Sequence, residues 1–385
     1  SFHEYTDISQ LELLNICIFS TNYCLTIICR ENFHKDRVAN IASPKGNIMS
    51  YIQELQSLMR KKEIDEDYIK LCSDYAQNLL NNHMPVIFDF KHLSLLLGLE
   101  SAALAFYMFA DEDFFYKETA IPKRNGGIRI IDIPSERLKS IQKWILNKIL
   151  YNIDIHECCY GFCRGKSIYD NALLHTNKDC VLNLDLKNFF PSIKQSEVFN
   201  IFYNKGYTKK VSYYLAKLLT KDGRLPQGSP ASPMISNIVA KHLDMRLYKL
   251  ARCYKVSYSR YADDITFSGA SNVKNLIPIV TEIIREEGFE VNEKKTRYAY
   301  YYQRQEVTGL IVNKKVSISK EYMKELKKEI YYCQKYGVSS HLEKTNNHRS
   351  FFKEYLYGKA YFVNMVDKDV GQKILEQLDK IMWEY

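Results

Sequence analysis

The stretch "SRYADDITFS", residues 259–268, places two adjacent carboxylates, Asp263 and Asp264, among residues that favour a half-buried strand. Ile265 and Phe267 are typical of strands, whereas aspartate is depleted there. A tight turn tolerates aspartate, but two carboxylates in a sheet cost desolvation and mutual repulsion unless a cation is present. The stretch therefore predicts a cation site on strands, provided that further ligands lie elsewhere in the chain.

A third carboxylate occurs upstream in a similar setting. The apolar run "VLNLDLKNFFPSI", residues 181–193, carries Asp185. Three carboxylates on neighbouring strands make a hard-oxygen site for Mg²⁺. Two such ions, roughly 3.5–4 Å apart, would activate a 3′-hydroxyl and stabilise a pyrophosphate leaving group.

Regular strand geometry restricts the adjacent pair of aspartates. Successive strand residues point to opposite faces of a sheet, so either the pair lies at a hairpin turn or one member has a secondary part. We expect Asp263 to face Asp185 and Asp264 to assist from the turn.

Composition narrows the class of protein. The chain has 385 residues, 54 Lys plus Arg against 45 Asp plus Glu, and a formal net charge of +9. A hydrophobic fraction of 46% excludes a disordered chain, and the basic excess favours a polyanionic partner. Thirty Tyr and nineteen Phe supply stacking surface if that partner is a nucleic acid.

The cysteines and the apolar N-terminal stretch have ordinary explanations. Ten cysteines without a regular framework predict reduced thiols and a cytoplasmic protein. Residues 13–29 fall short of the ~20 apolar residues of a membrane span, so we expect buried helix or strand and no membrane. The local group His156, Cys158, Cys159 and Cys163 has the residue types of a zinc site. Such a site needs a second cluster of paired ligands, which the sequence does not supply, so we expect ordinary buried cysteines.

The order of elements predicts an α+β fold. Residues up to about 85 and from about 320 onward favour helix, whereas 121–134 and 180–186 favour strand. Strands and helices alternate without the regular rhythm of a doubly wound sheet.

Three stretches together resemble the reverse transcriptase family. They are "LDLKNFFPSI", "LPQGSPASPMISN" (225–237) and "YADD", in the order in which that family's palm has them. The resemblance covers roughly residues 84–385 and implies a right-hand polymerase. It places a helical N-terminal extension at 1–83, fingers and palm at 84–315, and a helical thumb at 316–385.

The resemblance also assigns site residues by position. It implies that Asp185 and Asp263, with Asp264 adjoining, hold two Mg²⁺ ions as catalytic ligands. It implies that Lys123, Arg124 and Arg129 are basic fingers residues that bind the triphosphate of the dNTP. Phe190 would be an aromatic steric gate against ribose, and Gln227 and Gly228 would form a loop at the incoming nucleotide. Either Lys294 or Lys295 would lie near the leaving pyrophosphate, and the sequence does not choose between them.

Two further stretches are similar to retron reverse transcriptases in particular. "GFCRGKSIYDNALLH", residues 161–175, lacks the spacing of a phosphate-binding P-loop but matches a retron pattern of Asn, Ala and His. "RQEVTGLIVN" supplies a second retron mark. The RNA-recognition residues implied in this way are Asn171, Ala172, His175, Val307, Thr308 and Gly309.

The implied function is reverse transcription of a cognate structured noncoding RNA. DNA would grow from an internal guanosine 2′-hydroxyl to give branched RNA–DNA, msDNA, in an anti-phage system with a separate effector protein. One alternative is a non-retron bacterial reverse transcriptase of the defence or abortive-infection type. A non-catalytic RNA-binding scaffold would explain the charge and the aromatic residues, but it would not explain three intact aspartates.

Overall fold

The computed structural model describes residues 48–122 and 126–383. The apolar stretch 13–29 and the basic residues Lys123 and Arg124 lie outside the described residues. The chain forms two compact units. The first runs to Asp154 and includes Phe190–Val239, and the second comprises Ile155–Phe189 and the chain from Ala240 onward. The domain boundaries that the resemblance implies stay a prediction.

Helices and strands follow one another in the mixed order that the sequence predicted. The helices are α1 (Ile48–Lys61), α2 (Glu66–Asn81), α3 (Phe90–Leu96), α4 (Ser101–Phe109), α5 (Glu136–Lys148), α6 (Ile168–Leu173), α7 (Phe189–Ser192), α8 (Gln195–Tyr203), α9 (Lys209–Leu219), α10 (Ser232–Val239), α11 (Lys241–Cys253), α12 (Ile277–Glu286), α13 (Lys320–Tyr336), α14 (Val338–Thr345), α15 (Phe352–Val366) and α16 (Lys368–Asp379). The strands are β1 (Tyr116–Pro122), β2 (Ile128–Pro134), β3 (Cys180–Asp185), β4 (Ser257–Tyr261), β5 (Asp264–Gly269), β6 (Arg297–Tyr300), β7 (Glu306–Val307) and β8 (Leu310–Ile311).

Local sequence explains several helix ends. Side-chain oxygens of Asp65, Ser135 and Ser319 accept hydrogen bonds from backbone amides in the first turns of α2, α5 and α13, which satisfies donors that have no partner within a helix. Gly98, with φ of +66°, follows α3 in the left-handed conformation that glycine adopts without strain. Residues 232–253 form two successive helices, α10 and α11, which Ala240 separates.

The first unit contains a long antiparallel hairpin, β1–β2. Its register pairs Tyr116 with Pro134 and Ile121 with Arg129. At its base the buried amide of Gln142 donates to the Tyr116 hydroxyl at 2.9 Å and to the Leu218 carbonyl at 3.0 Å. Most of the strand residues beyond the base are exposed, so the hairpin is anchored at one end and open along its length.

The second unit is built on a four-stranded antiparallel sheet in the order β4-β5-β3-β6. The central strand β3 is apolar and buried over most of its length and ends at Asp185. A buried apolar cluster joins α6 and β3 to the β7–β8 hairpin, with partly buried Phe362 and Val366 of α15 packed against it. A second cluster fills the space among α13, α14, α15 and α16.

Within the described part of the chain, no single helix is long and apolar enough to cross a bilayer. Helices α3 and α4 are bent by 109° relative to each other. Taken as a pair, they have the length and composition of a membrane span that is broken in the middle.

Candidate active site

The two aspartates of the opening stretch lie at a hairpin turn. Strand β4 ends at Tyr261 and β5 begins at Asp264, so Ala262 and Asp263 form a two-residue turn. Across the sheet, Asp264 is the register partner of Asp185, and paired residues on neighbouring strands point to the same face. We expected Asp263 to face Asp185 and Asp264 to lie in the turn, and this expectation is wrong. Asp264 is paired with Asp185, because Asp263 belongs to the turn and not to the paired residues of β5.

Asp263 remains tied to the neighbouring strand through its backbone. The Leu186 amide, one residue beyond β3, donates to the Asp263 carbonyl at 2.9 Å. All three aspartates therefore lie at one end of the sheet, on adjoining strand ends.

The turn is held in an unusual backbone conformation. Ala262 has φ of +56°, which costs a residue with a β-carbon roughly 1–2 kcal/mol. The Arg260 guanidinium donates to the Ala262 carbonyl at 2.9 Å, and the Tyr160 amide donates to the Arg260 carbonyl at 2.8 Å. A β-carbon added at Gly161 would lie 2.5 Å from the Ala262 amide nitrogen. Glycine at position 161 is therefore required by close approach to the turn rather than by phosphate binding.

Arg260 is itself fixed by a buried ion pair. It contacts both carboxylate oxygens of Asp244 on α11, at 2.8 and 2.7 Å, and neither side chain has exposed surface. The Tyr258 hydroxyl donates to the same carboxylate at 2.8 Å. This network ties α11 to β4 directly before the turn, and sequence reasoning missed it, although Arg260 lies within the motif.

Asp185 is held by two side chains of the segment after α12. The Asn292 side-chain amide donates to one carboxylate oxygen at 3.1 Å, and the Lys295 ammonium lies 2.7 Å from the other. The Asn292 backbone amide also donates to the Asp185 carbonyl at 2.7 Å. The structure therefore distinguishes Lys295 from Lys294, and it adds Asn292, for which only its position beside the two lysines was a signal.

Electrostatics at the sheet end favour a cation. Crowding of the Asp264 carboxyl by protein atoms, followed by the negative charges of Asp263 and Asp185, raises its pKa to about 6, while Lys295 and Arg297 act in the opposite sense. The residue keeps exposed surface, so a ligand has access to it. The positive charges of Lys295 and Arg297 offset only part of the mutual repulsion among the three carboxylates. A bound divalent ion would offset the rest.

The donor set fits a metal that needs further ligands. Among residues 48–122 and 126–383, no group of three or more His, Cys, Asp or Glu side chains is placed to hold a metal ion. Mg²⁺ is commonly bound by one or two carboxylates, with water and substrate phosphates completing the shell. Asp185 and Asp264, on paired strand positions, fit this requirement.

Four of the predicted nucleotide-binding residues, Arg129, Phe190, Gln227 and Gly228, belong to the first unit. Arg129 is exposed on β2. The Gln227 carbonyl accepts a hydrogen bond from the Asp132 amide at 2.7 Å, and Gly228 has φ of +133°, where an added β-carbon would lie 2.3 Å from the Asp132 carbonyl oxygen. The loop is thus moulded onto β2, which explains its glycine. Phe190 is half-buried at the start of α7.

The predicted RNA-recognition residues lie mostly inside the second unit. His175 is fully buried, and its two ring nitrogens lie 2.7 Å from the hydroxyls of Ser268 and Ser259. Ala172 and Val307 are also fully buried. Their role in RNA recognition stays a prediction, and with no exposed surface these three side chains would act in it indirectly. His175 instead links β4 to β5 and so supports the hairpin that carries the aspartates.

The second retron mark forms a tight turn beside this core. Thr308 and Gly309, with φ of +46° and +84°, connect β7 to β8. The Asn171 amide donates to the Thr308 hydroxyl at 3.5 Å, and Asn171 is buried. The two retron stretches therefore meet, which the sequence did not predict.

The cysteine group beside the hairpin is compact. The His156 Nδ1 lies 2.9 Å from the Cys158 sulfur, and Cys163 lies 3.7 Å from Cys159. Cys158 and Cys159 are buried, and burial raises the pKa of the Cys158 thiol. These contacts agree with the prediction of ordinary buried cysteines.

Comparison with known proteins decides the family. Residues 121–348 match the family described as reverse transcriptase (RNA-dependent DNA polymerase). The chain is 32% identical over 328 residues to the retron Mx162 reverse transcriptase of Myxococcus xanthus, covering 75% of this chain and 66% of that protein. It is 30% identical over 315 residues to the retron Ec86 reverse transcriptase of Escherichia coli, covering 80% and 93%. The chain belongs to the retron-type reverse transcriptases.

This retron-type reverse transcriptase is an RNA-directed DNA polymerase with an RNA template and dNTP substrates, and it has the fingers, palm and thumb that the motifs predicted. Polymerases of the family use divalent metal ions. A solved structure of telomerase from Candida albicans, with a fragment of telomeric RNA, superposes with a TM-score of 0.40 at 12% identity, covering 69% of this chain and 61% of that one.

Burial of His175 predicts a pH-dependent stability. Removal from water, with a smaller contribution from Lys178, lowers its pKa to about 3, whereas a histidine in the unfolded chain titrates near ~6.5. Between these values the unfolded state binds the extra proton, so stability falls as pH drops below about 6.5, by up to about 1.4 kcal/mol per pH unit. His92, with a pKa lowered to about 4 by burial, acts in the same direction.

Replacing His175→Gln should reduce this dependence. We expect a shallower slope of the free energy of unfolding between pH 5 and 6.5, measured by urea denaturation, together with a loss of stability at pH 7. The control His348→Gln changes an exposed histidine and should retain the wild-type slope. An unchanged slope in His175→Gln would contradict the buried, neutral state.

Proposed function

We propose that the retron-type reverse transcriptase binds two Mg²⁺ ions at the aspartate end of the palm sheet and makes DNA on a cognate noncoding RNA. The observation that carries the proposal is the pairing of Asp185 with Asp264, with Asp263 at the adjoining turn. The bound ions would activate the primer hydroxyl and stabilise the leaving pyrophosphate. Asn292 and Lys295 would orient Asp185, and the Lys295 ammonium would also donate a hydrogen bond to the leaving pyrophosphate.

The nucleotide would be selected and held by residues of the first unit. We assign the triphosphate to Arg129, with Lys123 and Arg124 as further candidates from the resemblance, and the base and template to Gln227 and Gly228. We assign the exclusion of ribose to Phe190. The exposure of Arg129 and the fixed backbone at Gly228 support these roles.

The primer would be an internal guanosine 2′-hydroxyl of the RNA, which gives branched msDNA. This finer proposal is supported by the two retron stretches, Asn171–His175 and Val307–Gly309, which the fold packs together beneath the catalytic hairpin. The buried residues of these stretches, Asn171, Ala172, His175 and Val307, would adapt the palm to the native RNA as positioning residues, without touching it.

The biological role would be defence against phage, with a separate effector protein as partner. Its setting would be the cytoplasm, as expected for a chain whose ten cysteines follow no regular disulfide framework. A non-retron defence reverse transcriptase is the alternative. It would work on a different RNA and leave no branch.

Asp263→Asn should abolish DNA synthesis while leaving RNA binding largely intact, because it removes a metal-site charge without changing the fold. Extension of a labelled primer with Mg²⁺ measures the first, and fluorescence anisotropy with RNA the second. Asp369→Asn, an exposed aspartate of α16, is the matched control and should behave as wild type. Wild-type synthesis by Asp263→Asn would refute both the metal assignment and catalysis at this site; a non-catalytic scaffold would show no synthesis even in the unmodified protein.

Phe190→Ala should admit ribonucleotides, because the smaller side chain would leave room for a 2′-hydroxyl. Primer extension with a dNTP against the corresponding NTP measures discrimination, and we expect it to fall at least tenfold. The neighbouring Phe189 is buried against Phe289, at 5.5 Å between ring centroids, so Phe189→Leu should cost stability and preserve discrimination. Unchanged selectivity in Phe190→Ala would remove it as the gate.

Copurifying nucleic acid provides the test of the retron product. We expect DNA joined to one short RNA, which shifts in denaturing gels only after treatment with a 2′,5′-debranching enzyme and is absent from the Asp263→Asn protein. Cells carrying the whole locus should plate phage less efficiently than cells with that variant. DNA with an unbranched 5′ end would favour the non-retron alternative.

A further inference from the structure

Four aromatic and basic side chains form a continuous surface at the edge of the palm sheet. Tyr298 and Tyr300 are two residues apart in the edge strand β6 and so lie on the same face of the sheet. The Tyr302 ring stacks on Tyr300 at 5.7 Å between centroids and 16° between planes. The Lys274 ammonium lies 5.7 Å from the Tyr298 centroid and 5.9 Å from that of Tyr300. We name Tyr298, Tyr300, Tyr302 and Lys274 the tyrosine platform.

The platform lies on the opposite face of the sheet from the catalytic aspartates. Leu182 is the register partner of Tyr298, whereas Asn183, two residues before Asp185, is paired with Arg297. Since neighbouring residues of a strand point to opposite faces, Tyr298 points away from the face of Asp185. The platform is therefore a separate surface from the site of DNA synthesis.

Core packing does not account for these tyrosines. Tyr298 is 46% exposed and Tyr302 is 71% exposed, although aromatic side chains of this size normally gain by burial. The Lys274 ammonium lies beside them, and its hydrogen bond to Tyr300 raises its pKa further above neutral pH. An exposed aromatic face beside a fixed positive charge is the combination that binds unpaired nucleic acid, through stacking of bases and contact with phosphate.

We propose that the tyrosine platform binds an unpaired segment of RNA on the back of the palm, outside the template channel. Bases of the segment stack on Tyr298 and on the exposed Tyr302, while Lys274 neutralises a phosphate. The net charge of +9 favours an anionic partner of either kind, a nucleic acid or an acidic protein surface. Stacking on the tyrosines favours nucleic acid, and it needs splayed bases and therefore single strands. The proposal rests on the RNA-directed activity of the family and does not depend on branched priming.

The experiment uses the full chain, saturated with an unlabelled primer–template so that the catalytic channel is filled. Binding of a fluorescein-labelled 12-nucleotide poly(U) RNA is then followed by anisotropy. Stacking of one base contributes roughly 1–3 kcal/mol, so Tyr298→Leu/Tyr302→Leu should weaken binding about tenfold or more. Lys274→Met should reduce the slope of log affinity against log salt by about 0.7, as expected for one phosphate contact on a single strand.

Controls separate the platform from catalysis and from folding. Tyr203→Leu removes another exposed tyrosine, one stacked on Phe199 at 5.7 Å and 17°, and should leave poly(U) affinity unchanged. All variants should extend a generic primer–template at the wild-type rate, because none of these residues lies in the catalytic site. Primer extension thus reports on the proposed polymerase site and poly(U) affinity on the platform, so the two proposals fail separately.

Photocrosslinking identifies the surface in the wild-type protein. Poly(U) containing 4-thiouridine should crosslink within residues 298–302, as mapped by mass spectrometry, and duplex RNA should not compete. Crosslinks confined to other residues, or wild-type affinity in both the double tyrosine variant and Lys274→Met, would overturn the proposal. A lower melting temperature of the tyrosine variant with unchanged affinity would also overturn it, because the tyrosines would then serve packing alone.

Discussion

The candidate active site depends on a buried ion pair that lies directly before the turn between β4 and β5. Arg260 and Asp244 have no exposed surface, and removal of one partner from such a pair typically costs about 3–5 kcal/mol, because a charge is left buried alone. The same guanidinium donates to the Ala262 carbonyl, and so stabilises the left-handed residue on which the two-residue turn depends. Since that turn determines which aspartate faces β3, the geometry of the candidate metal site depends on the Arg260 side chain, which lies outside the turn.

The sheet end combines rigidity with uncompensated negative charge. Asp185 is fixed by Asn292 and Lys295, while burial, followed by the negative charges of Asp263 and Asp185, raises the pKa of Asp264. A divalent ion held by these carboxylates would relieve this repulsion. His175, which joins β4 and β5 from within the core, gives the retron stretch a structural link to the same hairpin.

The aspartates of the candidate site could be found in the sequence because each motif contains its own carboxylates. Asp185, Asp263 and Asp264 were found from carboxylates in strand-forming sequence, and Lys295 was one of two adjacent candidates. Asn292, Asp244 and Gly161 were not found, because each acts through a contact with a residue distant in sequence. The surface exposure of Tyr298 and Tyr302 was equally hidden, since tyrosines in an edge strand and in a core strand have the same local pattern.

By itself the sequence determined the α+β class, the polymerase family and the residue types of the site, because strand propensity, aspartates and motif order are local properties of the chain. Only the tertiary structure decided that Asp264 rather than Asp263 opposes Asp185, that His175 is buried, and that the two retron stretches meet. These outcomes depend on strand register and on the two-residue turn. A shift of one residue in either would move every side chain of the strand to the other face.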